Sequence, residues 1–340
     1  MYTLVVNPGS TSTKYKLFDA MGRVVESLNF KAEEYNKQEN FFARLDSLNR
    51  IIIRVVHGGD ALTSLRVTKK LKNELKKYQE FAPIHEKKSL DVMEELENRF
   101  PSVDQYVCFD TTFHKTIPEH LYTYSIPLTI SKKYKIRKYG FHGIAIQSAI
   151  EKLKKNSPLP KKLIMIHLGG GCSVTAIKNG LSFCTSMGLT PLSGLMMTQR
   201  SGDMDPSVFP ILHSIGNFTV QEITDMLENK SGFLGLTNSK DILKIFKKAQ
   251  AGGPKEKLAF DIFVSQIIQK VYGYAGLMGG VDAVVFTGGI GYGNSFLRKA
   301  VIKQLSLLNI DKSNSFHIDV DEETFMFNEI QKMHGKKNQR

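Results

Sequence analysis

An internal repeat constrains the fold of this chain more than any other feature of its sequence. Residues 2–19, YTLVVNPGSTSTKYKLFD, read as an apolar strand, a turn of small residues and a second strand. Residues 163–180, LIMIHLGGGCSVTAIKNG, follow the same plan roughly 160 positions later, a spacing close to the size of one domain. The repeat therefore predicts two halves, each opened by one strand–turn–strand unit.

The length of the chain agrees with this division. At 340 residues it is long enough for two domains, each with its own core. We predict an N-terminal domain over residues 1–150, to which the C-terminal helix returns, and a C-terminal domain over residues 151–340. Pro158 and Pro160 mark the join, because proline interrupts regular structure.

Strands and helices alternate along the chain. Runs rich in β-branched and aromatic residues predict further strands over residues 51–57, 105–109 and 283–287. Apolar residues at helical spacing predict helices over residues 87–99, 147–155, 220–229, 255–277 and 295–308. This alternation indicates an α/β fold with two doubly wound halves. Because ligands of such folds bind at the carboxyl ends of the strands, we expect the active site in a cleft between the halves.

The net charge of +13 at pH 7 suggests a polyanionic partner. The lysines are spread through helical patterns, where they cover outer faces, and the sequence has no RRM, zinc-finger or helix-turn-helix signature. We therefore do not expect a nucleic acid as partner. A nucleotide substrate is a smaller polyanion that also fits this charge.

The cysteines and the apolar runs indicate a cellular compartment. Cys108, Cys172 and Cys184 match neither a disulfide framework nor a paired metal-binding pattern. The N-terminus lacks the charged start and long apolar run of a signal peptide, and no run approaches the ~18 apolar residues of a membrane span. We expect a cytoplasmic protein without a membrane partner.

Three turns of small residues could approach phosphate closely. The first, over residues 7–14, offers hydroxyls, backbone N–H groups and the ammonium of Lys14, and the others lie over residues 167–171 and 288–291. Glycine lets the backbone close on an anion because it has no Cβ. Each turn alone is typical of an ordinary connection, and neither a P-loop nor a GxGxxG motif is present. Together, on a duplicated plan, the three turns favour nucleotide binding.

Cationic and acidic residues form a second group. Arg54 and Asp110 lie at the ends of predicted strands, His142 lies between glycines, and Arg200 lies in a polar turn. Taken alone, each is more typical of a surface ion pair, a helix cap or a loop anchor. A carboxylate that attacks a phosphoryl group brings two anions together, and guanidinium groups hold such oxygens through two bonds. The combination fits phosphoryl transfer to an acid, whereas the HExxH and GxSxG motifs of zinc proteases and serine hydrolases are absent.

Seven sequence blocks extend over nearly the whole chain: VVNPGSTSTK, RVVHGGD, FDTTFHKTIP, RKYGFHG, MIHLGGGCSVTAIKNG, TSMGLTPLSGLMMTQRSGDMDP and FTGGIG. These blocks and their order resemble those of acetate kinases. The resemblance implies two duplicated ribonuclease-H-like domains, as in the acetate and sugar kinase/actin-like superfamily, with an active-site cleft between the domains.

The resemblance also implies roles for individual residues. The metal would be held, directly or through water, by Asn7 and Glu322. The catalytic residues would be Asp110, His142 and Arg200. The acid would be bound by Arg54 and by an apolar pocket of Val56, Ile84, Phe141 and Pro191. The nucleotide would be bound by Ser10, Ser12, Lys14, His167, Leu168, Gly169, Gly170, Gly171, Asn238, Ser239, Lys240, Gly288, Gly289, Ile290 and Gly291.

As a member of this family, the protein would use Mg²⁺, with Mn²⁺ as the alternative, bind acetate with ATP or ADP, and form a cytoplasmic homodimer. The chain departs from the family's pattern mainly near the nucleoside. Asn238 and Lys240 stand where aspartate and arginine are usual, and Gly170 stands where asparagine is usual. Residues 292–294 (YGN) replace a Glu-Asn pair, and residues 85–87 (HEK) replace His-Asn-Pro.

We therefore expect an acetate kinase that reversibly transfers the γ-phosphoryl group of ATP to acetate by direct in-line transfer, giving acetyl phosphate and ADP. Because the acid is already ionised, we expect Asp110 to orient an arginine rather than to transfer a proton. The acid could instead be propionate or butyrate, since one methylene changes binding by only ~1–3 kcal/mol. The donor could instead be pyrophosphate or another nucleoside triphosphate. A non-catalytic actin-like nucleotide-binding module and a basic RNA-binding protein are more remote alternatives.

Overall fold

The structure is a computed structural model. It describes residues 1–9, 12–31, 34–45, 47–61, 63–155 and 157–337, apart from the side chains of residues 35, 83–85, 336 and 337. The described chain forms two compact units. The first comprises residues 1–115, 141–148 and the segment from residue 321 onward, and the second comprises residues 116–140 and 149–320.

Strands and helices alternate in both units. The strands are β1 (Tyr2–Pro8), β2 (Ser12–Phe18), β3 (Val24–Lys31), β4 (Leu48–Val55), β5 (Leu65–Arg66), β6 (Asp104–Phe109), β7 (Lys162–Leu168), β8 (Cys172–Lys178), β9 (Leu181–Thr185), β10 (Ala283–Thr287) and β11 (Ser315–Ile318). The helices are α1 (Tyr35–Phe42), α2 (Lys69–Lys76), α3 (Pro83–Arg99), α4 (Glu119–Tyr122), α5 (Leu128–Tyr134), α6 (Gly143–Lys154), α7 (Val208–Ser214), α8 (Val220–Asn229), α9 (Gly232–Thr237), α10 (Ile242–Gln250), α11 (Pro254–Met278), α12 (Gly288–Gly293), α13 (Ser295–Lys303) and α14 (Glu322–Lys337).

The first unit is built on a six-stranded sheet in the order β3-β2-β1-β4-β6-β5. β1, β4 and β6 run parallel, whereas β2 pairs antiparallel with both β1 and β3. Alternate residues of the central strands enter two apolar clusters, one on each face of the sheet. Leu4 and Ile51 pack with residues of α1, α2 and α3, whereas Val5 and Ile52 pack with α14 and the start of α6. The carboxyl ends of three parallel strands therefore meet at one sheet edge, between two helical layers.

The second unit repeats this arrangement. Its sheet has the order β9-β8-β7-β10-β11, which matches β3-β2-β1-β4-β6 strand for strand. In both sheets the first two strands form an antiparallel hairpin, and β4 and β10 pair in parallel with the first strand of their unit. The two copies of the sequence repeat form β1–β2 and β7–β8. The predicted duplication is confirmed.

The longest helix of the second unit, α11, has clear sequence limits. Pro254 occupies its first turn, where the missing N–H is not needed, and Gly279 follows its end in the left-handed region with a φ of 72°. The ring of Phe263 on α11 lies 5.1 Å from that of Phe233 on α9. Within the described part of the chain, no helix combines the length and the apolar content that a membrane crossing requires.

Two predicted elements are wrong in detail. Residues 288–291 do not form an open turn, because Gly288 adopts a left-handed φ of 77° and the short helix α12 begins there. Residues 295–308 do not form one helix, because α13 ends at Lys303 and a 3₁₀ turn follows over Ser306–Leu308.

Residues 116–140, which the predicted division placed in the first domain, group with the second unit.

Candidate functional site

Three predicted site residues lie where parallel strands of the first unit end. Asn7 is near the end of β1, Arg54 is near the end of β4, and Asp110 directly follows β6. These strands are neighbours in the sheet, so their carboxyl ends bring the three side chains together. Asn7 and Asp110 are buried, and Arg54 is largely buried.

Arg54 connects the other two residues. Its Nε donates to Asp110 Oδ1 at 3.1 Å, its Nη2 donates to Asp110 Oδ2 at 2.6 Å, and its Nη1 donates to Asn7 Oδ1 at 3.0 Å. Burial lowers the pKa of the Arg54 guanidinium, but the negative charges of Asp110 and Glu322 outweigh burial and raise that pKa above its ordinary value. Arg54 is therefore a permanent cation held in one orientation.

Asp110 also holds the loop that carries His142. Burial raises the pKa of Asp110, and the two hydrogen bonds from Arg54 oppose this rise. The backbone N–H of His142 donates to the Asp110 side chain, and the N–H of Gly143 donates to the Asp110 carbonyl at 3.0 Å. His142 has a φ of 62°, and a Cβ at Gly143 would lie 2.2 Å from the Asp110 carbonyl oxygen. Glycine at 143 thus permits the close approach that places His142 beside Asp110.

Two glutamates at the start of α14 complete this group. The Asn7 amide donates to Glu322 Oε2 at 2.9 Å and to Glu323 Oε1 at 2.6 Å. Asp321 caps the helix, because its Oδ1 accepts the N–H of Thr324 at 3.0 Å. This cap turns both glutamates of the first turn toward β1. The resemblance predicts a role for Glu322 but not for Glu323, although the acidic pair is visible in the sequence.

The donor set around Asn7 suits a hard divalent cation. Mg²⁺ takes oxygen ligands, commonly one or two protein carboxylates, and fills its other positions with water and substrate phosphates. Glu322 and Glu323 provide two carboxylates within hydrogen-bond distance of the Asn7 amide. Over the described residues, no group of three or more His, Cys, Asp and Glu side chains could hold a metal. A cation bound here would therefore also need oxygens from the nucleotide.

The residues predicted for the acyl pocket fall in both units. Val56 and Phe141 of the first unit are buried, and the Phe141 ring lies 5.6 Å from that of His57. The side chain of Ile84 lies outside the described residues. Pro191 belongs to the second unit, where it is buried and its carbonyl accepts a bond from Arg200.

A buried carboxyl supports the wall that contains Val56. Glu86 on α3 is fully buried, and its Oε2 accepts the backbone N–H of His57 at 3.1 Å. Burial raises the pKa of Glu86 to about 8 and lowers the pKa of the His57 imidazole to about 3. Both groups are therefore mainly uncharged near neutral pH. Sequence analysis noted Glu86 only as a departure from the family's pattern.

The first predicted phosphate turn is held from α3. The N–H of Gly9 donates to the Ser12 carbonyl at 2.8 Å, and Lys88 Nζ donates to the Gly9 carbonyl at 2.7 Å. Ser10 lies outside the described residues. Lys14 is exposed and lies directly opposite Asn7 in the β1–β2 register. No local motif marks Lys88, whose contact joins residues that are 79 positions apart.

The predicted glycine segments of the second unit lie side by side. β7 and β10 are parallel neighbours with His167 opposite Thr287, so the segments of residues 167–171 and 288–291 leave the same sheet edge. Gly288 has a φ of 77°, and a Cβ there would lie 2.5 Å from the Leu168 carbonyl oxygen. Only glycine allows this approach. The hydroxyl of the neighbouring Thr287 is buried without a hydrogen-bond partner among the described residues, a feature that sequence analysis missed.

The remaining predicted nucleotide residues follow α9. Asn238 ends this helix in the left-handed region with a φ of 57°, and the Ser239 hydroxyl accepts the N–H of Asp241 at 3.2 Å. Asn238 and Lys240 are exposed. None of the hydrogen bonds described for this segment joins it to the glycine segments, so its part in nucleotide binding stays a prediction.

Arg200 is anchored within the second unit. Its Nη1 lies 3.4 Å from the Pro191 carbonyl oxygen and 3.7 Å from the Met197 sulfur. Burial lowers the pKa of Arg200, and the nearby Glu228 carboxylate opposes this effect. The side chain thus resembles Arg54 in being a largely buried cation.

The structure therefore brings the predicted residues together in three groups. The first unit assembles Asn7, Arg54, Asp110, His142 and Glu322, which sequence analysis selected mainly by resemblance. The second unit assembles the two glycine segments and, separately, the pair of Pro191 and Arg200. The first group can hold an anion and a cation at one place, as a phosphoryl transfer to an acid requires.

Comparison with known proteins agrees with these expectations. An acetate kinase of Caldicellulosiruptor saccharolyticus is 36% identical over 365 aligned positions, which cover 94% of this chain and 91% of that protein. A propionate kinase structure from Francisella tularensis superposes with a TM-score of 0.88 at 31% identity, covering 96% of this chain and 98% of that one. The acetate kinase structure from Porphyromonas gingivalis gives a TM-score of 0.84 at 28% identity, covering 97% and 99%.

These matches bear on the predicted fold and family. The similar structures confirm the predicted fold class of two duplicated actin-like domains. They are named as kinases that act on short carboxylic acids, which agrees with the predicted type of reaction. The sequence profile described as "Acetokinase family" matches residues 21–333. This chain belongs to the acetokinase family.

Proposed function

We propose that the protein is an acetate kinase, which transfers the γ-phosphoryl group of ATP directly and reversibly to acetate, giving acetyl phosphate and ADP. Membership of the acetokinase family supports the reaction type, a phosphoryl transfer to a carboxyl group. We also propose that the enzyme uses Mg²⁺ and works as a homodimer in the cytoplasm.

The observation that carries the proposal is the orientation of Arg54. Three of its five N–H donors bond to Asp110 and Asn7, and Nη1 also lies 3.7 Å from Glu322 Oε2 in an ion pair. One N–H on Nη1 and one on Nη2 have no hydrogen bond among the described residues. Two donors on one planar group match the two oxygens of a carboxylate. Arg54 would bind acetate through them, while the two-bond contact with Asp110 keeps the guanidinium plane fixed.

Acetate needs no general base, because its carboxylate is already ionised at neutral pH. Asp110 would therefore act as a positioning residue for Arg54 and for the His142 loop rather than as a proton acceptor. His142 and Arg200 would stabilise the charge that spreads over the equatorial oxygens of the transferring phosphoryl group. Mg²⁺, held by Asn7 and Glu322 with the nucleotide phosphates, would supply further positive charge at those oxygens.

Lys88 and Lys14 would serve the phosphate turn in different ways. Lys88 already bonds to the Gly9 carbonyl and would fix the shape of the turn. Lys14 is exposed opposite Asn7 and would reach the nucleotide phosphates as a mobile point charge. The glycine segments at residues 167–171 and 288–291 would hold the nucleotide.

A second donor deserves a test because of the segment over residues 238–240. Asn238 and Lys240 are exposed and depart from the family's aspartate and arginine. If these two side chains contact the nucleoside, the nucleotide site would select adenine less strictly than a site with aspartate and arginine at these positions. GTP, other nucleoside triphosphates or pyrophosphate would then replace ATP as donor.

Hydroxylamine trapping tests the proposal. Purified protein with Mg²⁺, acetate and ATP should produce acetyl hydroxamate, and parallel samples with GTP, CTP and pyrophosphate identify the donor. Propionate and butyrate in place of acetate identify the acid. If no donor yields a hydroxamate with any of the three acids, the protein is not an acyl kinase.

A further inference from the structure

The second unit contains a cavity outside the segments that we assign to the nucleotide. It has a volume of about 480 Å³ and lies between α13 and β11, the strand at the edge of the sheet. Its apolar lining comes from two strands and one helix. Phe286 on β10 is buried, Ile302 on α13 is half-buried, and Phe316 on β11 is partly exposed. The cavity is therefore apolar inside and open to solvent near Phe316.

Cationic side chains dominate the polar lining of this cavity. Arg298, Lys299 and Lys303 contribute from α13, and Lys312 contributes from the segment before β11. Lys299 and Lys303 are four residues apart, so they project from the same side of the helix. Of the described residues that line the cavity, none is an aspartate or glutamate. An anion would therefore be attracted and would meet no negative charge in the lining.

The lysines are better placed than the arginine to bind a ligand. Arg298 Nη1 donates to the Gly291 carbonyl at 2.9 Å and also contacts the Tyr292 carbonyl, so it already caps α12. Lys299, Lys303 and Lys312 are exposed, and no ion pair joins them to an acidic side chain in the described part of the chain.

We propose that this cavity binds a small amphipathic organic anion, in which a phosphate or carboxylate is attached to an apolar group. The head group would lie among Lys299, Lys303 and Lys312, and the apolar group would enter between Phe286, Ile302 and Phe316. The volume lies within the range of ~300–1,000 Å³ that is usual for small-molecule sites. The site is distinct from the acetate and nucleotide sites proposed above, so it does not depend on them.

A second cavity, which shares the lining residues Ser315, Phe316 and His317 of β11 with the first, provides a contrast. It has a similar volume of about 490 Å³, but its lining includes Asp319. The one lysine that lines it, Lys152, already donates to the Asp319 carbonyl at 2.6 Å. Of these two cavities, the one beside α13 therefore combines several available cations with a lining that lacks carboxylates.

Isothermal titration of the full chain with hexyl phosphate, hexanoate and inorganic phosphate tests the proposal. We expect hexyl phosphate or hexanoate to bind at least tenfold more tightly than inorganic phosphate, since burial of several CH₂ groups favours the amphipathic ion. The preferred head group identifies the source of the anion. Equal affinity for hexyl phosphate and inorganic phosphate, or no binding of any of the three, would overturn the proposal.

Variants locate the bound ion. The double variant Lys299→Ala/Lys303→Ala should weaken hexyl phosphate binding about tenfold, because it removes two head-group partners. Phe316→Ser should weaken hexyl phosphate but not inorganic phosphate. The matched control Lys244→Ala/Lys247→Ala removes two exposed lysines of α10, which do not line the cavity, and should have no effect. If the α13 variant binds like wild type, or if the control weakens binding equally, the ion does not lie in this cavity.

Discussion

Arg54 and Asp110 are joined by two roughly parallel hydrogen bonds inside the first unit, Nε to Oδ1 at 3.1 Å and Nη2 to Oδ2 at 2.6 Å. The side chain of Asp110 is 1% exposed, so water cannot replace its partner. The pair fixes the plane of the guanidinium, whose Nη1 also donates to Asn7 Oδ1 at 3.0 Å and lies 3.7 Å from Glu322 Oε2. In the proposed reaction, this fixed plane is what selects a carboxylate as phosphoryl acceptor.

Replacement of Arg54 by lysine tests the need for a planar, forked cation. Arg54→Lys keeps the charge but has three donors on one nitrogen, so it cannot form the two-bond contact with Asp110 and also present a planar pair of donors to acetate. We expect kcat/KM for acetate to fall about 10²–10³-fold, as for loss of a preorganised electrostatic group. Steady-state kinetics with varied acetate measure this, and Arg44→Lys, which alters an exposed arginine bonded to Glu26, is the control. A change smaller than twofold would remove Arg54 from the acid site.

Replacement of Asp110 by asparagine separates orientation from proton transfer. If Asp110 positions Arg54, Asp110→Asn lowers kcat/KM but leaves the pH profile with the same limbs as wild type. If Asp110 accepts a proton, the variant loses the corresponding limb. Profiles of kcat/KM between pH 5 and 9 distinguish the two roles. The unfolding free energy of the variant must also be measured in urea, because breaking a buried ion pair costs about 3–5 kcal/mol of stability.

Phe141 tests the acyl pocket. Its ring is buried and contacts the ring of His57. Phe141→Leu should enlarge the pocket with less damage to the core than alanine, and should raise the ratio of kcat/KM for butyrate over acetate about tenfold. Competition between the two acids in one sample measures this ratio. An unaltered ratio in a correctly folded variant would place the acyl chain elsewhere.

Glu86 gives the folded protein a pH-dependent stability. The pKa of its carboxyl rises from 4.5 to about 8 on burial. Between these values the folded chain keeps a proton that the unfolded chain has released, so stability is lost as pH rises from about 4.5 to 8. Glu86→Gln keeps the acceptor for the His57 N–H and removes the titration. We expect the variant and wild type to have the same unfolding free energy near pH 4.5. At pH 8 the unfolding free energy of the variant should be higher by up to a few kcal/mol.

Urea unfolding at several pH values measures this difference, with Glu94→Gln as the control, because Glu94 is exposed on the same helix. A stability difference between Glu86→Gln and wild type that does not change with pH would show that Glu86 does not titrate in this range.

The parts of the fold that sequence analysis predicted well have local causes. The strand–turn–strand repeat predicted β1–β2 and β7–β8 from an apolar run followed by a turn of small residues. The bounds of α8 match the prediction, because Thr219 and Glu222 form a capping box at its start and fix where the helix begins. Pro254 lies in the first turn of α11 and likewise fixes where that helix begins. Patterns within about four residues were sufficient for each of these elements.

The parts that sequence analysis missed depend on contacts between distant residues. Residues 116–140 group with the second unit, where the N–H groups of Tyr139 and Gly140 donate to the Gly188 carbonyl. Asn7 meets Glu323 across 316 positions, and no local pattern reports such a contact. Asn7 and Glu322 were paired in the sequence only through the resemblance to a family. The helix at Gly288 was missed because its first residue adopts a left-handed φ that glycine runs do not reveal.

The proposed function distinguishes this chain from an actin-like module that binds or hydrolyses ATP, and the fate of the γ-phosphoryl group decides between them most directly. ³¹P NMR of the full chain with Mg²⁺, ATP and acetate, without a trapping agent, follows that group. We predict that acetyl phosphate and ADP appear at equal rates and that Arg54→Lys slows both. Release of inorganic phosphate with no acetyl phosphate, at a rate independent of acetate, would contradict the proposed function.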